Sequence, residues 1–373
     1  MAALRPVLLG LTLAALSLVA WESLRPALLI VGNATIDLVD GKKSLGGAIS
    51  YAAAVAEAYG VRACIVTAAG SDADLAMFKG HDLHVVPTES TLTFEHTYTW
   101  WGHKRKLRVT AAPNVTLTMD HVPRHCRGAR TILLGPLTPQ DLNAATFVPP
   151  VPSWWQKLLG ARQHVGYMAQ GEQRTLDSTG RVIPAKLPSQ HIQDAVTPQT
   201  SIFLSDVETD VWPKGSVAKL AAQSNRFVVT RGELGADVFS SDSTIFHFDA
   251  EKVNATDTNG AGDTFATAYM LALSRGSSTP GAVANWAASR AVMLPQSCKP
   301  GCITSAIRDA TLWSQFRAAS SLRWQWSSNK VAVVIHGIAD RLEAITGPAG
   351  IMLQHCQGHA NAAVARVRRQ LGI

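Results

Sequence analysis

The sequence predicts an α/β fold built on a mostly parallel sheet flanked by helices, and three observations carry that prediction. Short apolar runs bounded by glycine and asparagine, "ALLIVGNATIDLV" (27–39) and "ACIVTAAG" (63–70), have the form of buried strands. Between them, "LGGAISYAAAVAEAYG" (45–60) opens on paired glycines, continues in small helix formers and stops at Gly60, as a helix with a C-terminal glycine does. Strand, helix and strand in succession make a β-α-β unit, whose crossover forces the two strands to run parallel. The third observation is material: with 47% hydrophobic and 16% charged residues over 373 positions, the chain can bury a large core.

The later segments continue the alternation. "TILLGPL" (131–137), "SIFLSDVE" (201–208) and "RFVVTRGELGADVF" (226–239) are strand-like, and "AVANWAASRAVML" (282–294) is helical. One segment differs. "STLTFEHTYTWWGHKRKLRVT" (90–110) alternates threonine and aromatic residues on either side of "WGHKRK", which suits a two-faced antiparallel hairpin placed as a flap over a site. "TFVPPVPSWWQKLLG" (146–160), rich in proline and tryptophan, is expected to be a connection with a short helix. The domain expectation is therefore an apolar leader at 1–26, a folded unit at 27–315 with a flap at about 88–112, and a helical extension at 316–373 without an assigned site.

The net charge of +7 is spread along the chain, apart from "HKRK" (103–106) and "RVRRQ" (366–370). A diffuse surplus suits anionic small molecules, and no nucleic-acid partner is expected. The five cysteines show no CxxC pair and no matching histidine pattern, so they are expected to be unlinked thiols. The leader "MAALRPVLLGLTLAALSLVA" has the pattern of a targeting segment, or alternatively of an anchor. Localisation thus stays open between cytoplasm and organelle, and the sequons at Asn33, Asn114 and Asn254 are treated as chance matches.

The chemistry concentrates in "DTNGAGDTF" (257–265), which runs directly into an apolar helical stretch. Glycine and alanine let backbone N–H groups approach an anion, and the helix that follows adds the positive end of its dipole. An acid at the mouth of that cradle, Asp263, would repel the anion if binding were the whole task. It makes sense as a base that takes a proton from an attacking hydroxyl. The plain alternative is a helix N-terminus with a favoured acidic residue.

"DTNGAGDTF" resembles the C-terminal signature of the ribokinase-like (PfkB) carbohydrate kinases, and further landmarks follow in that family's order. "GNATID" resembles its first strand with a sugar-binding aspartate, here Asp37, and "LGGAISYAAAVAEAYG" its paired-glycine signature, here Gly46 and Gly47. "VTRGELGA" (229–236) is similar to the nucleotide-binding segment, and "SDVE" (205–208) stands in the place of the magnesium motif. The resemblance spans roughly residues 27–315. It implies a Rossmann-like core with a small β-hairpin lid, and an ATP-dependent kinase for a sugar or polyol. Within it, Asp263 is the base, the backbone of Gly260, Ala261 and Gly262 stabilises the transferring phosphoryl group, and Glu208 orders the water ligands of Mg2+. Asp37, Gly46 and Gly47 hold the acceptor, while Thr230, Gly232, Gly235 and Asn285 line the nucleotide site. A monovalent cation and a homodimer joined through the lid are also implied.

Three positions depart from the pattern: Tyr51 where many members have Asn, Ser205 where Asn is usual, and Asn259 where Thr or Gly is usual. An aromatic residue after "GGAIS" and a serine in the magnesium motif resemble the plant-type myo-inositol kinase branch. A nucleoside kinase and a catalytically silent kinase-like scaffold are the other readings. The Trp100/Trp101 pair and the cations Lys104, Arg105 and Lys106 are expected to serve packing and a solvated hairpin tip.

Overall fold

The inner strands of a nine-stranded sheet are apolar on both faces, which suits strands covered by helices above and below, while the edge strands are more exposed. In the computed structural model, β1 (Leu28–Val31) reads LLIV with every side chain fully buried. The structure describes residues 25–99, 102–150 and 163–308. The leader, Trp100/Trp101, most of the proline- and tryptophan-rich connection and the 316–373 extension lie outside the described residues, as do the side chains of Lys104 and Arg105. The chain separates into two units, Met1–Trp313 and Ser314–Ile373, and everything described here belongs to the first.

Following β1, the strands are β2 (Thr35–Val39), β3 (Lys42–Gly46), β4 (Cys64–Ala69), β5 (Asp82–Pro87), β6 (Leu92–Thr99), β7 (Gly102–Ala111) and β8 (Thr131–Leu134). They continue with β9 (His164–Met168), β10 (Arg174–Leu176), β11 (Val182–Pro184), β12 (Thr200–Ser205), β13 (Arg226–Thr230), β14 (Ala236–Ser240) and β15 (Ile245–Phe248). The large sheet has the order β15-β14-β13-β12-β9-β8-β1-β4-β5. Its strands are parallel from β13 to β5, and the last two on the β15 side are antiparallel.

Helix α1 (Ala48–Ala58) follows the paired glycines and is buried almost all round, as its alanine-rich sequence requires. Shorter helices α2 (Gln190–Ala195), α3 (Asp206–Thr209) and α4 (Ser216–Ala221) precede the long pair α5 (Ala261–Ser274) and α6 (Pro280–Val292), and α7 (Ile303–Arg308) closes the described chain. Aromatic rings seat α5 on the sheet: Phe203 of β12 meets Tyr269 edge-on at 5.4 Å, and Phe265 stacks on Tyr269 at 6.1 Å.

The expected hairpin is present as β6 and β7, but it belongs to a four-stranded sheet of order β3-β2-β6-β7. The run 27–39, expected to be a buried strand leading into a loop, holds the strand at Leu28–Val31, but after residues 32–34 it continues as a second strand in another sheet. Its second half turns back through Asp40 and Gly41, both at positive φ (48° and 74°), which is the two-residue turn that matches the twist of paired strands. The strand that carries Asp37 thereby belongs to the same sheet as the β6-β7 hairpin.

The cysteine expectation is corrected. Cys64 is joined to Cys126 and Cys298 to Cys302. The first pair is 62 residues apart in sequence and meets only because β4 packs beside the segment after β7, a proximity that spacing does not encode. Asp82, His84 and His125 gather beside it, and the hydrogen bond from His125 Nε2 at 2.7 Å holds the Asp82 carboxyl below its ordinary range. Asn33 is 1% exposed, so its sequon is closed to glycosylation in the folded chain.

Beyond the parallel strands lies a buried acid, Glu172, whose Oε2 meets His191 Nδ1 at 2.9 Å. Burial pushes its carboxyl up to about 7 from 4.5. A raised folded value means stability is full below the unfolded value and is lost as pH rises through the folded one. Wild type is therefore expected to lose up to ~3 kcal/mol between about pH 4.5 and pH 7 from this group, at ~1.4 kcal/mol per unit. Urea titrations of wild type and Glu172→Gln across that window check it: the glutamine chain gains relative stability as pH rises, and a constant difference would refute the assignment.

Candidate active site

The glycine turn is built from its backbone inward. The N–H groups of Thr256 and Asp257 both donate to the Val292 carbonyl, at 2.8 and 3.1 Å, which ties the start of the turn to the end of α6. Asp257 Oδ1 accepts from the Asn259 N–H at 3.2 Å, and Gly260 then enters the left-handed region at φ 73°. That conformation strains any residue with a Cβ, so a glycine belongs there. Helix α5 begins at Ala261, its first intrahelical bond running from Thr264 N–H to the Gly260 carbonyl at 2.9 Å. The first turn of a helix offers N–H groups that have no partner within the helix, together with the positive end of the dipole. Asp263 stands in that turn, partly exposed.

Gly260 is required by a second contact. A Cβ there would lie 2.0 Å from Cε1 of the Tyr51 ring. Tyr51 belongs to α1, so one ring resting on one glycine locks the helix after the paired glycines to the turn before α5. At Gly262, by contrast, a Cβ would meet nothing within 4 Å. Packing does not demand that glycine, and it leaves open space at the mouth of the turn.

The residues expected to hold the acceptor form a second group, at the start of the four-stranded sheet. Asp37 Oδ1 accepts from Thr35 Oγ1 at 3.0 Å, and across the β2-β3 hairpin Thr35 pairs with Gly46. A Cβ on Gly46 would fall 2.3 Å from Asp37 Oδ2, so the glycine makes room for the carboxylate. Gly47, at φ 90°, turns the chain into α1, and Ser50 Oγ donates back to the Gly46 carbonyl at 2.6 Å. His96, on β6, places Nε2 3.6 Å from Asp37 Oδ1, and both of its buried ring nitrogens lack a hydrogen-bond partner among the described residues. Sequence reasoning passed over His96; the signal was its place in the alternating hairpin, on the strand paired with Asp37.

The third group lies at the C-terminal ends of β12 and β13, where open parallel sheets bind ligands. Ser205 pairs with Thr230 across these strands. Glu208 reaches back to cap α3: its Oε2 accepts from the Ser205 N–H at 2.7 Å and also from the Ser205 hydroxyl. Serine in place of asparagine thus gives this acid a structural partner. Thr230 Oγ1 donates to the Leu204 carbonyl at 3.4 Å, while Gly232 and Gly235 close a short turn through Gly235 N–H to Gly232 carbonyl at 3.1 Å. Asn285 Nδ2 donates to the carbonyls of Phe248 and Asp249, at 2.7 and 3.0 Å, so its amide shapes the backbone after β15.

One residue absent from the sequence reading touches the turn directly. Lys299 is almost wholly buried, with Nζ against Asp257 and Asn259. Burial lowers its pKa, and Asp257 opposes that shift. The sequence hides it, because it lies 42 residues beyond Asp257 and in a loop without helical or strand periodicity.

The ring-on-glycine contact has a measurable consequence. Gly260→Ala is expected to cost about 2–4 kcal/mol, from left-handed strain plus overpacking. In a cycle with Tyr51→Ala, removing the ring relieves the overpacking, so the double variant is expected to lose at least ~1 kcal/mol less than the sum of the singles. Denaturant unfolding of the four chains decides; additivity would mean that the ring and the glycine are independent.

Comparison with known proteins follows this geometry. Residues 183–301 match the pfkB family of carbohydrate kinases, a span that includes the glycine turn, Thr230 to Gly235, Asn285 and Lys299. No curated protein matches the chain in sequence. Among solved structures, a pyrophosphate-dependent kinase of the ribokinase family in its sulfate complex aligns with a TM-score of 0.56 at 16% identity, over 72% of this chain and 96% of its own. A pyrophosphate-dependent myo-inositol-1 kinase converted into a myo-inositol-3 kinase aligns with 0.56 at 15%, over 75% and 98%. Arabidopsis thaliana ribokinase complexed with ribose and ATP aligns with 0.53 at 17%, over 76% and 99%. The nine-stranded sheet with its hairpin sheet is therefore the ribokinase fold, and residues 183–301 are similar to the pfkB family of carbohydrate kinases.

Proposed function

We propose that the chain is a kinase that transfers the γ-phosphoryl group of ATP to a hydroxyl of a sugar or polyol, with myo-inositol the favoured acceptor. The observation that carries this is a carboxylate and a helix N-terminus in one turn: Asp263 stands three residues after left-handed Gly260, beside open space at Gly262. In this reading Asp263 accepts the proton of the attacking hydroxyl, and the first-turn N–H groups of α5 hold the charge that builds on the transferring phosphoryl oxygens. Asp37 binds acceptor hydroxyls, with His96 as a second polar group beside it. Thr230, Gly232, Gly235 and the backbone shaped by Asn285 border the donor.

Glu208 fits a role through water, since the capping hydrogen bonds fix its carboxylate at the end of β12 next to Thr230. When bound there, Mg2+ would neutralise donor phosphate charge. Support for a polyol comes from Tyr51 and Ser205 at the departing positions, and from the inositol-kinase structures that share the fold. Because several of those structures are of pyrophosphate-dependent enzymes, pyrophosphate is the donor to compare with ATP. Pairing of lids in a homodimer remains part of the proposal.

The test is turnover of the purified chain with Mg2+ and either ATP or pyrophosphate, across myo-inositol, ribose, fructose and adenosine. One polyol is expected to be phosphorylated, and Asp263→Asn to lower kcat by about 10²–10⁴-fold with a small change in KM. Preference for adenosine would favour the nucleoside kinase. Donor binding without turnover on any acceptor would favour the silent scaffold.

A further inference from the structure

Lys299 follows α6 in the loop "CKPGC" (298–302), whose two cysteines are joined to each other. Its side chain is 1% exposed. A lysine ammonium has three N–H donors, and three oxygens surround this one: the Asp257 carbonyl at 2.5 Å, Asp257 Oδ2 at 3.1 Å and the Asn259 carbonyl at 3.2 Å. All three belong to the segment immediately before Gly260. A buried charge is tolerated only when paired and hydrogen-bonded in this way.

The two carbonyl contacts have a directional effect. A trans peptide points its N–H opposite to its C=O. With the Asp257 and Asn259 carbonyls drawn to Nζ, the N–H groups of Thr258 and Gly260 are aimed at the face of the turn away from Lys299. The ammonium therefore sets the polarity of the turn that leads into α5. An ammonium held by one carboxylate and two carbonyls is chemically a monovalent cation in an oxygen cage, attached to the chain by four methylenes.

We propose that Lys299 is a tethered monovalent cation that positions the anion turn, so that the chain works without dissolved potassium or ammonium. This rests on the reading of 257–263 as the phosphoryl cradle. Lys299 touches neither acceptor nor donor in this account; it is a positioning residue. Cutting the tether leaves an ammonium-sized, oxygen-lined cavity that a free cation can fill, whereas replacing the lysine by an apolar chain of similar length fills the cavity without charge.

The experiment uses the full chain as wild type, Lys299→Ala and Lys299→Met, in buffers whose only monovalent cation is choline, sodium, potassium or propylammonium. Two readouts are taken: turnover under the conditions above, and hydrogen exchange of the peptide covering 257–264. Wild type is expected to be indifferent to the cation. Lys299→Ala is expected to lose about 10²-fold in kcat or more in choline, and to recover at least tenfold in potassium or propylammonium, with protection of 257–264 returning in parallel. Lys299→Met is expected to stay impaired in every buffer. Activation of wild type by potassium, full activity of Lys299→Ala in choline, or equal behaviour of the two variants would each overturn the proposal. If wild type turns over no acceptor, the kinase reading fails, and the cation-dependent return of protection in Lys299→Ala still decides this one.

Discussion

The ring of Tyr51 lying on Gly260 is the contact on which the arrangement of the site depends. It fixes the distance between the helix that follows the paired glycines and the turn that opens α5, two segments more than 200 residues apart in sequence. Asp37, Gly46 and Gly47 sit before that helix, and Asp263 sits just after that turn. The large sheet supplies the platform, but strands alone leave the two loops free to shift against each other. An aromatic face against a bare backbone removes that freedom at little cost, since glycine has no side chain to displace and the ring gains burial.

The turn is also held from the opposite side. The Val292 carbonyl accepts the N–H groups of Thr256 and Asp257, and Lys299 Nζ donates to the carbonyls of Asp257 and Asn259. Donors and acceptors of the same short segment are thus satisfied by different parts of the chain, as buried backbone requires. The Ala261 N–H closes the turn onto the Thr258 carbonyl at 3.2 Å, and Asp263 stands in the first turn of α5 that follows. Charge is arranged with equal economy: one buried cation lies behind the turn and one carboxylate in front of it.

Much of this fold was legible because its signals are local. The apolar runs at 28–31, 64–69 and 200–205 and the alanine-rich stretch at 48–58 follow from periodicity, and the glycine turn from the conformations that glycine alone adopts freely. The hairpin at 92–111 was legible for the same reason. The β2-β3 hairpin was written in its Asp40-Gly41 turn but masked by the apolar residues that continue out of β1. His164–Met168 and Ile245–Phe248 are short, and their strand identity comes from neighbours in the sheet. The least legible features are pairings across the chain: Cys64 with Cys126, Lys299 with Asp257, His96 with Asp37. Each depends on three-dimensional closure, and none has a spacing that a helix or strand would produce. Ser205 was visible as a departure, yet its consequence, a cap made with Glu208, needed the geometry of α3.

Strand β2 has a double membership that bears on the order of events. It carries Asp37, and it is hydrogen-bonded along its length to β6 of the lid. A lid that swings cannot leave the carboxylate behind. In the kinase proposed above, capture of the acceptor and exclusion of water would become a single mechanical step: a molecule that failed to engage Asp37 would also fail to draw down the cover. Selectivity in such a device would reside in closure as much as in contact, with transfer to water suppressed by the same strand that carries the proposed acceptor carboxylate.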